Sequence, residues 1–457
     1  MDSTIHRTEQ RKEPRPRPTF RLAVAALFVA FPAVPFYVIL FRTNLDIPVY
    51  DGYGALEFVN HLEKLSGLAA KLSFVFEAQF NEYKLVFAEF LIWLQYAITG
   101  RIDFAVLGAV SNAFVLFIAL LLWKMFLPAH KDLGTRLALF IPVSWLLFQF
   151  EYAELLNFGG AGLQHLPSLL FAFAAIHLLF GKTRRAFSGA LAFQVLAVAA
   201  SGNGFLLLPI GLLVLVPGRR YVRIALWLAT SAVCIAGYSY HYNVMSSKSS
   251  PDHSVFSALL HLRPLYVIGF IGSAAGTLFP VAGFVLGASL CVFFIWMAFK
   301  GYVRRNPAVS CCVLFLLLTA IGAASIRSDL GLAQCASSRY TLYSALFLIF
   351  AWFAIVEEYL QHSRVSLLNN GGYLAAVAAT VFFFILMDAL GFSLMKIMDR
   401  GLVEGMVEFE HPNPPDSTKG PVIDLWKGGV DFEKINPSAR AALIESIRLG
   451  VYRPPKY

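Results

Sequence analysis

Long apolar runs recur from Phe20 to Leu390, and nothing else restricts the fold of this chain so strongly. A run of about 20 apolar residues crosses a ~30 Å hydrocarbon core at roughly 1.5 Å per residue. Lipid offers no hydrogen-bonding partner, so each backbone N–H and C=O must be paired within the protein. Nothing in the runs alternates with the period of a lipid-facing barrel strand. The spans are therefore helices, and the expected fold class is an all-α polytopic membrane protein. The charge content agrees: 14% of the 457 residues are charged, against about a quarter in soluble domains.

A formal net charge of +9 raises the question of nucleic acid. The positive residues gather instead in short loops between apolar runs, where they set membrane topology, and no nucleic-acid partner is expected. Cys234, Cys291, Cys311 and Cys312 lie in apolar segments and Cys335 lies near a loop, with no zinc or disulfide spacing. Residues 1–19 form a basic tail with Arg7, Arg11, Lys12, Arg15 and Arg17. The apolar segment after it is long and lacks a clear small-residue cleavage site, so a retained anchor and a cytoplasmic tail are expected.

The first span is expected over 20–41, kinked at Pro32 and Pro35. Residues 42–83 are too polar to cross. Leu56, Phe58, Val59, Leu62, Leu65 and Leu68 make a helical stripe that suits an interfacial helix. Residues 84–99 are apolar but short and contain Glu89 and Gln95, which predicts a re-entrant or interfacial helix. Outer-loop helices are thus expected within 52–99. The further spans are expected near 104–126, 136–150, 164–181, 187–201, 203–217, 222–240, 280–299, 308–325, 340–356 and 372–392, about eleven with the first. The loops bearing Lys124/Lys131/Arg136, Lys182/Arg184/Arg185, Arg219/Arg220/Arg223 and Lys300/Arg304/Arg305 then all share the side of the N-terminus. Were 84–99 a span, all four would lie outside, against the positive-inside rule. The membrane domain is expected over 20–392. Residues 393–457 are expected as a small external tail, with Ser438 capping a short helix at 439–449 that Gly450 stops.

This topology gathers the polar candidates on the outer face. Asp51 lies in a Gly/Tyr-flanked loop roughly ten residues beyond the first span, as a general base, a cation ligand or an ordinary loop carboxylate. Asn81-Glu82-Tyr83-Lys84 sets acid beside base at the interface, to bind a polar ligand or to anchor at headgroup level. Glu151, Tyr152, Glu154, Asn157 and His165 flank Gly159-Gly160-Ala161-Gly162, a bend that lets backbone approach a ligand. Ser201-Gly202-Asn203-Gly204 is either a tight turn or an anion-favouring helix start. Arg339, in Ser337-Ser338-Arg339-Tyr340, suits a phosphate because its planar fork bonds two oxygens, and Arg327 and Asp329 share that loop. His241, His253 and His261 are spaced too irregularly for a metal site. No Walker loop, dinucleotide fingerprint, zincin motif or serine elbow is present.

In order and sidedness, Asp51-Gly52-Tyr53, Asn81-Glu82-Tyr83-Lys84, Ala200-Ser201-Gly202-Asn203-Gly204-Phe205-Leu206 and Ser338-Arg339-Tyr340 resemble the GT-C superfamily of membrane glycosyltransferases. The layout is similar to that of protein O-mannosyltransferases and lipid A aminoarabinose transferases. It departs from them where Gly52 replaces a second acid, Tyr83 a frequent histidine and Asn203 a lysine, and where Glu151 or Glu154 must serve for a second-loop aspartate. The resemblance implies a polyprenyl-phosphate-linked sugar donor, a glycan, lipid or protein acceptor in the cell envelope, and inverting displacement at the anomeric carbon. It implies a bacterial cell membrane, with the N-terminus cytoplasmic and the C-terminus outside. Asp51 would be the base, with Glu82 or a second-loop glutamate orienting the acceptor or a divalent cation such as Mg or Mn. Lys84 and Arg339 would neutralise the leaving phosphate. Tyr53, Asn81, Glu151, Glu154, His165, Asn203 and Tyr340 would complete the substrate site. Two other readings stand beside it. A transporter or flippase of lipid-linked glycan predicts two-sided access and midplane polar groups, for which Asp388 and Glu89 are the nearest residues. A non-catalytic assembly protein predicts no convergence of these side chains.

Overall fold

The computed structural model describes residues 18–49, 51–79, 83–126, 132–157, 159–243, 263–277, 279–328, 331–362, 371–410, 419–424, 429–434 and 437–456. Among them, nine helices are long and apolar enough to cross a membrane, the architecture of a polytopic membrane protein. The first is built from two pieces, α1 (Pro18–Ala30) and α2 (Ala33–Thr43). They meet at Pro32, whose missing N–H interrupts the helical ladder.

Three short helices follow before the next long one: α3 (Gly52–Lys64), α4 (Leu68–Glu77) and α5 (Val86–Thr99). With 14 residues, α5 is about 21 Å long, well short of the hydrocarbon core. Leu56, Val59 and Leu62 on α3 are completely buried and meet Val75 of α4 and Ala88 and Ile92 of α5. Each such aliphatic side chain contributes about 1.5–3 kcal/mol when buried. The three helices thus form a platform with a core of its own, separate from the main core of the bundle.

The bundle continues with α6 (Phe104–Met125), α7 (Leu133–Leu147), α8 (Ala153–Asn157), α9 (Gly159–Leu179), α10 (Arg184–Ala200), α11 (Leu207–Leu215) and α12 (Tyr221–Ser239). Asp103, Asp132 and Thr183 cap the N-termini of α6, α7 and α10 by accepting from Val106, Thr135 and Ala186 N–H. The expected crossings at 187–201 and 203–217 are short helices: α10 has 17 residues and α11 has nine. Between them the chain doubles back at Ser201. A Cβ on Gly204 would lie 2.3 Å from Val198 N, so only glycine permits the turn to close.

Next come α13 (Pro264–Ile271), α14 (Ser273–Gly276), α15 (Pro280–Phe299), α16 (Tyr302–Arg305), α17 (Pro307–Arg327), α18 (Ser338–His362) and α19 (Gly371–Glu410). Most of the apolar window in α18 is buried (83%), against 17% in α12. The α18 helix is therefore central, whereas α12 and α15 turn rows such as Val281, Val285 and Val292 outward, as lipid-facing helices do. At 40 residues α19 is about 60 Å long and outreaches any bilayer core.

The tail contains the strands among the described residues, β1 (Lys419–Asp424) and β2 (Gly429–Lys434), paired antiparallel. Then α20 (Pro437–Arg448) packs on α3. Asn60 Nδ2 donates to Ala442 O (3.0 Å) and Ser446 Oγ donates to Asn60 Oδ1 (2.8 Å). Gly450 ends the helix at φ 74°. Ile102 N then donates to Val451 O (2.8 Å) and Tyr452 Oη to Asp46 O (2.6 Å). The last described segment of the expected tail, α20 and the residues after it, thus packs into the platform.

Candidate functional site

Asp51 precedes the first turn of α3, where an aspartate ordinarily caps the helix. Here its side chain makes no capping bond among the described residues. Gly160 at the start of α9 passes close by: a Cβ there would lie 3.3 Å from Asp51 Cβ. Asp51 lines a cavity of about 520 Å³ that also receives Arg327 from the end of α17 and Arg339 from the start of α18. Burial lifts the Asp51 carboxyl above the usual carboxylate range, and the positive charges of Arg339 and Arg327 work against that rise.

Each arginine is held in place. Arg339 Nε pairs with Glu154 Oε2 at 3.0 Å, and its backbone N–H reaches the same oxygen at 3.2 Å. Ser337 Oγ donates to that oxygen as well (2.7 Å), and Ser338 Oγ accepts from Glu154 N–H (3.1 Å). Glu154 is thus the anchor of Arg339 and not a free carboxylate. Arg327 Nη2 donates to Tyr83 Oη at 3.1 Å. His165 Nδ1 lies 2.7 Å from Tyr343 Oη, and Tyr340 packs on Phe270 with centroids 4.7 Å apart. Asn203 reaches the cavity from the turn after α10, where Ser201 Oγ accepts its backbone N–H. The lining thus combines aromatic side chains with Asp51, Arg327 and Arg339.

Several expected site residues lie elsewhere. Lys84 is fully buried and points its ammonium at the carbonyls of Phe76 (3.2 Å) and Tyr240. Burial lowers its pKa, opposed by Glu89 and Glu77. It fastens the loop before α5 to the end of α12 instead of facing a phosphate. Glu151 turns into the packing beside α19, where it accepts from Thr277 Oγ1 at 3.0 Å. The contact is close because Gly391 on α19 would place a Cβ 2.3 Å from Phe150 O. Tyr53 packs in the platform core, its phenol lifted by burial to about 12. Asn81, Glu82 and Asp329 fall outside the described residues.

No protein-family model matches this chain, and no curated protein does. Among the described residues, no group of three or more His, Cys, Asp or Glu side chains converges to hold a metal ion. What the cavity offers is one carboxylate, two anchored guanidinium groups and aromatic side chains. Arg327 is legible in the sequence as a basic residue ending an apolar run in the loop that also bears Arg339. Tyr238, Tyr343 and Phe270 also line the cavity; in the sequence the two tyrosines read as ordinary span residues and Phe270 as a residue of the loop between the spans expected at 222–240 and 280–299.

Proposed function

We propose that this protein is a membrane glycosyltransferase with a GT-C-like arrangement. It moves a sugar from a polyprenyl-phosphate donor to a cell-envelope acceptor on the extracytoplasmic side of a bacterial cell membrane. The N-terminus is then cytoplasmic, the tail is outside, and the short helices α10 and α11 complete about eleven crossings. One observation supports the reading above the others: Asp51 shares a cavity with Arg327 and Arg339.

Displacement at an anomeric carbon needs two opposite devices. A base must take the proton of the acceptor hydroxyl, and a cation must stabilise the departing phosphate where charge develops. Asp51 supplies the first and the two arginines the second. The acceptor O–H bond breaks toward Asp51 as the new C–O bond forms, and the donor C–O bond leaves with its electron pair on phosphate. Tyr340, Tyr343 and His165 offer faces and edges against which a sugar packs.

A flippase for lipid-linked glycan and a non-catalytic assembly protein are the competing readings. The experiment that separates them is transfer of labelled sugar from a polyprenyl-phosphate donor in membranes containing wild-type or Asp51→Asn protein. Loss of a positioned base lowers the rate by about 10²–10⁴ with donor binding intact. Wild-type transfer by Asp51→Asn removes Asp51 as base. Donor translocation without transfer by the wild type would favour the flippase.

A further inference from the structure

Asp51 borders a second, smaller space. A slot of about 50 Å³ runs from Asp51 between α3, α5, α6 and α9 to Glu89. Glu89 is 7% exposed, and its Oε2 has no hydrogen-bond partner among the described residues. Buried polar atoms are nearly always partnered, so this oxygen needs a physical account.

The surroundings narrow it. The walls contributed by α3, α6 and α9 are glycine, alanine, phenylalanine and leucine apart from Asp51 itself. The charged and titratable groups facing Glu89 from outside the slot are Lys84 and the Tyr238 phenol, and those facing Asp51 are Arg327 and Arg339. Burial lifts Glu89 to about 8, with Lys84 pulling the other way, so near neutral pH Glu89 mostly carries its proton. Asp51 has two arginines favouring its charged form, whereas Glu89 has only Lys84, whose own charge burial disfavours. Environments that push two acids apart in this way assign them different protonation states. A protonated Glu89 needs an acceptor for its O–H, and Asp51 is the carboxyl sharing the slot. The space exceeds the roughly 10–15 Å³ that one water requires, and the two carboxyl groups supply its polar partners.

We propose that Glu89 is a positioning residue for Asp51: as a neutral acid it donates, through water in the slot, a hydrogen bond that orients and stabilises the Asp51 carboxylate. The role of Asp51 as base rests on the transferase reading above. The link between the two carboxyl groups does not.

The test is infrared titration of protonated carboxyl groups in the full chain, held in lipid nanodiscs without substrate. Asp51→Asn identifies the Asp51 band by its loss. In Glu89→Met, which keeps bulk and removes the donor, the Asp51 titration moves up by about one unit. In Glu89→Gln, whose amide still donates, it stays close to wild type. Ala55→Val narrows the slot without touching either carboxyl and moves the titration as Glu89→Met does, which carries the comparison if Glu89→Met does not fold. An Asp51 titration unmoved by Glu89→Met and Ala55→Val, or moved equally by Gln and Met at position 89, overturns the proposal. Absence of sugar transfer in the wild type would sink the transferase reading while leaving the infrared coupling intact.

Discussion

Arg327→Met is the most informative single change at the cavity. Asp51 is lifted by burial and held down by Arg339 and Arg327. An opposite charge within ~4–6 Å lowers a carboxyl pKa by about 1–3 units. Arg327 is the smaller of the two opposing charges and Arg339 remains, so Arg327→Met raises the Asp51 pKa. A base works deprotonated, so the acid limb of kcat/KM for transfer moves to higher pH. Well below the limb, activity falls about tenfold for each pH unit that the limb moves. Arg327→Lys keeps the charge while changing the contact to Tyr83 Oη, and returns the limb toward wild type. The assay is the pH dependence of kcat/KM with a polyprenyl-phosphate sugar. A limb that stays put in Arg327→Met, or moves to lower pH, refutes the electrostatic account. The same shift has a stability consequence whose sign is opposite to that of an ordinary salt-bridged aspartate. Because the folded pKa is raised, the contribution of Asp51 to stability is present below its unfolded value of ~3.9 and is lost as pH rises through the folded value. Asp51→Asn therefore gains thermal stability over wild type at neutral pH while losing transfer.

Two other variants read the anchors. Glu154→Ala removes the carboxylate that holds Arg339. A fully buried pair costs about 3–5 kcal/mol to break, and the 30% exposure of the Arg339 side chain reduces this to about 2 kcal/mol. The measurable result is a lower unfolding temperature together with a raised KM for the donor, and an unchanged KM would show that Arg339 does not meet it. Lys84→Met leaves the Phe76 and Tyr240 carbonyls without their charged donor and costs about 2–3 kcal/mol. Its donor KM stays at the wild-type value. A large rise in KM would return Lys84 to the phosphate site.

How far the sequence reached depends on whether a property was local. The length of Val86–Thr99 and the clustering of Lys and Arg between apolar runs are one-dimensional facts; the first matches a helix of 14 residues, and the second put Asp51 on the side of Arg339, whose cavity it shares. The helix stopped by Gly450 was legible for the same reason. Tertiary partners were not. Lys84 beside Glu82 reads as a phosphate ligand until Tyr240, far along the chain, brings its carbonyl to the ammonium. Glu151 and Glu154 are equivalent on paper, yet one helical turn aims Glu154 at Arg339 and Glu151 at Thr277. The shortness of α10 and α11 was legible in the hydropathy, but the tight turn between them was not, because hydropathy does not register the close approach of Gly204 to the Val198 backbone. The tail read as an appendage because Asn60 and Ser446 are unremarkable polar residues until they meet.

That last contact sets an order of events in the making of the protein. The helix behind Asp51 emerges from the ribosome early, but Leu443, Val451 and Tyr452, which share its apolar core, are translated after the nine long apolar helices found among the described residues. Through synthesis and insertion the apolar face of α3 must wait beside the bilayer for its cover. A chain interrupted between residues 410 and 437 would carry its long apolar helices yet leave part of that face without its cover. Such a chain is the kind of product that membrane proteases find by exposed apolar surface.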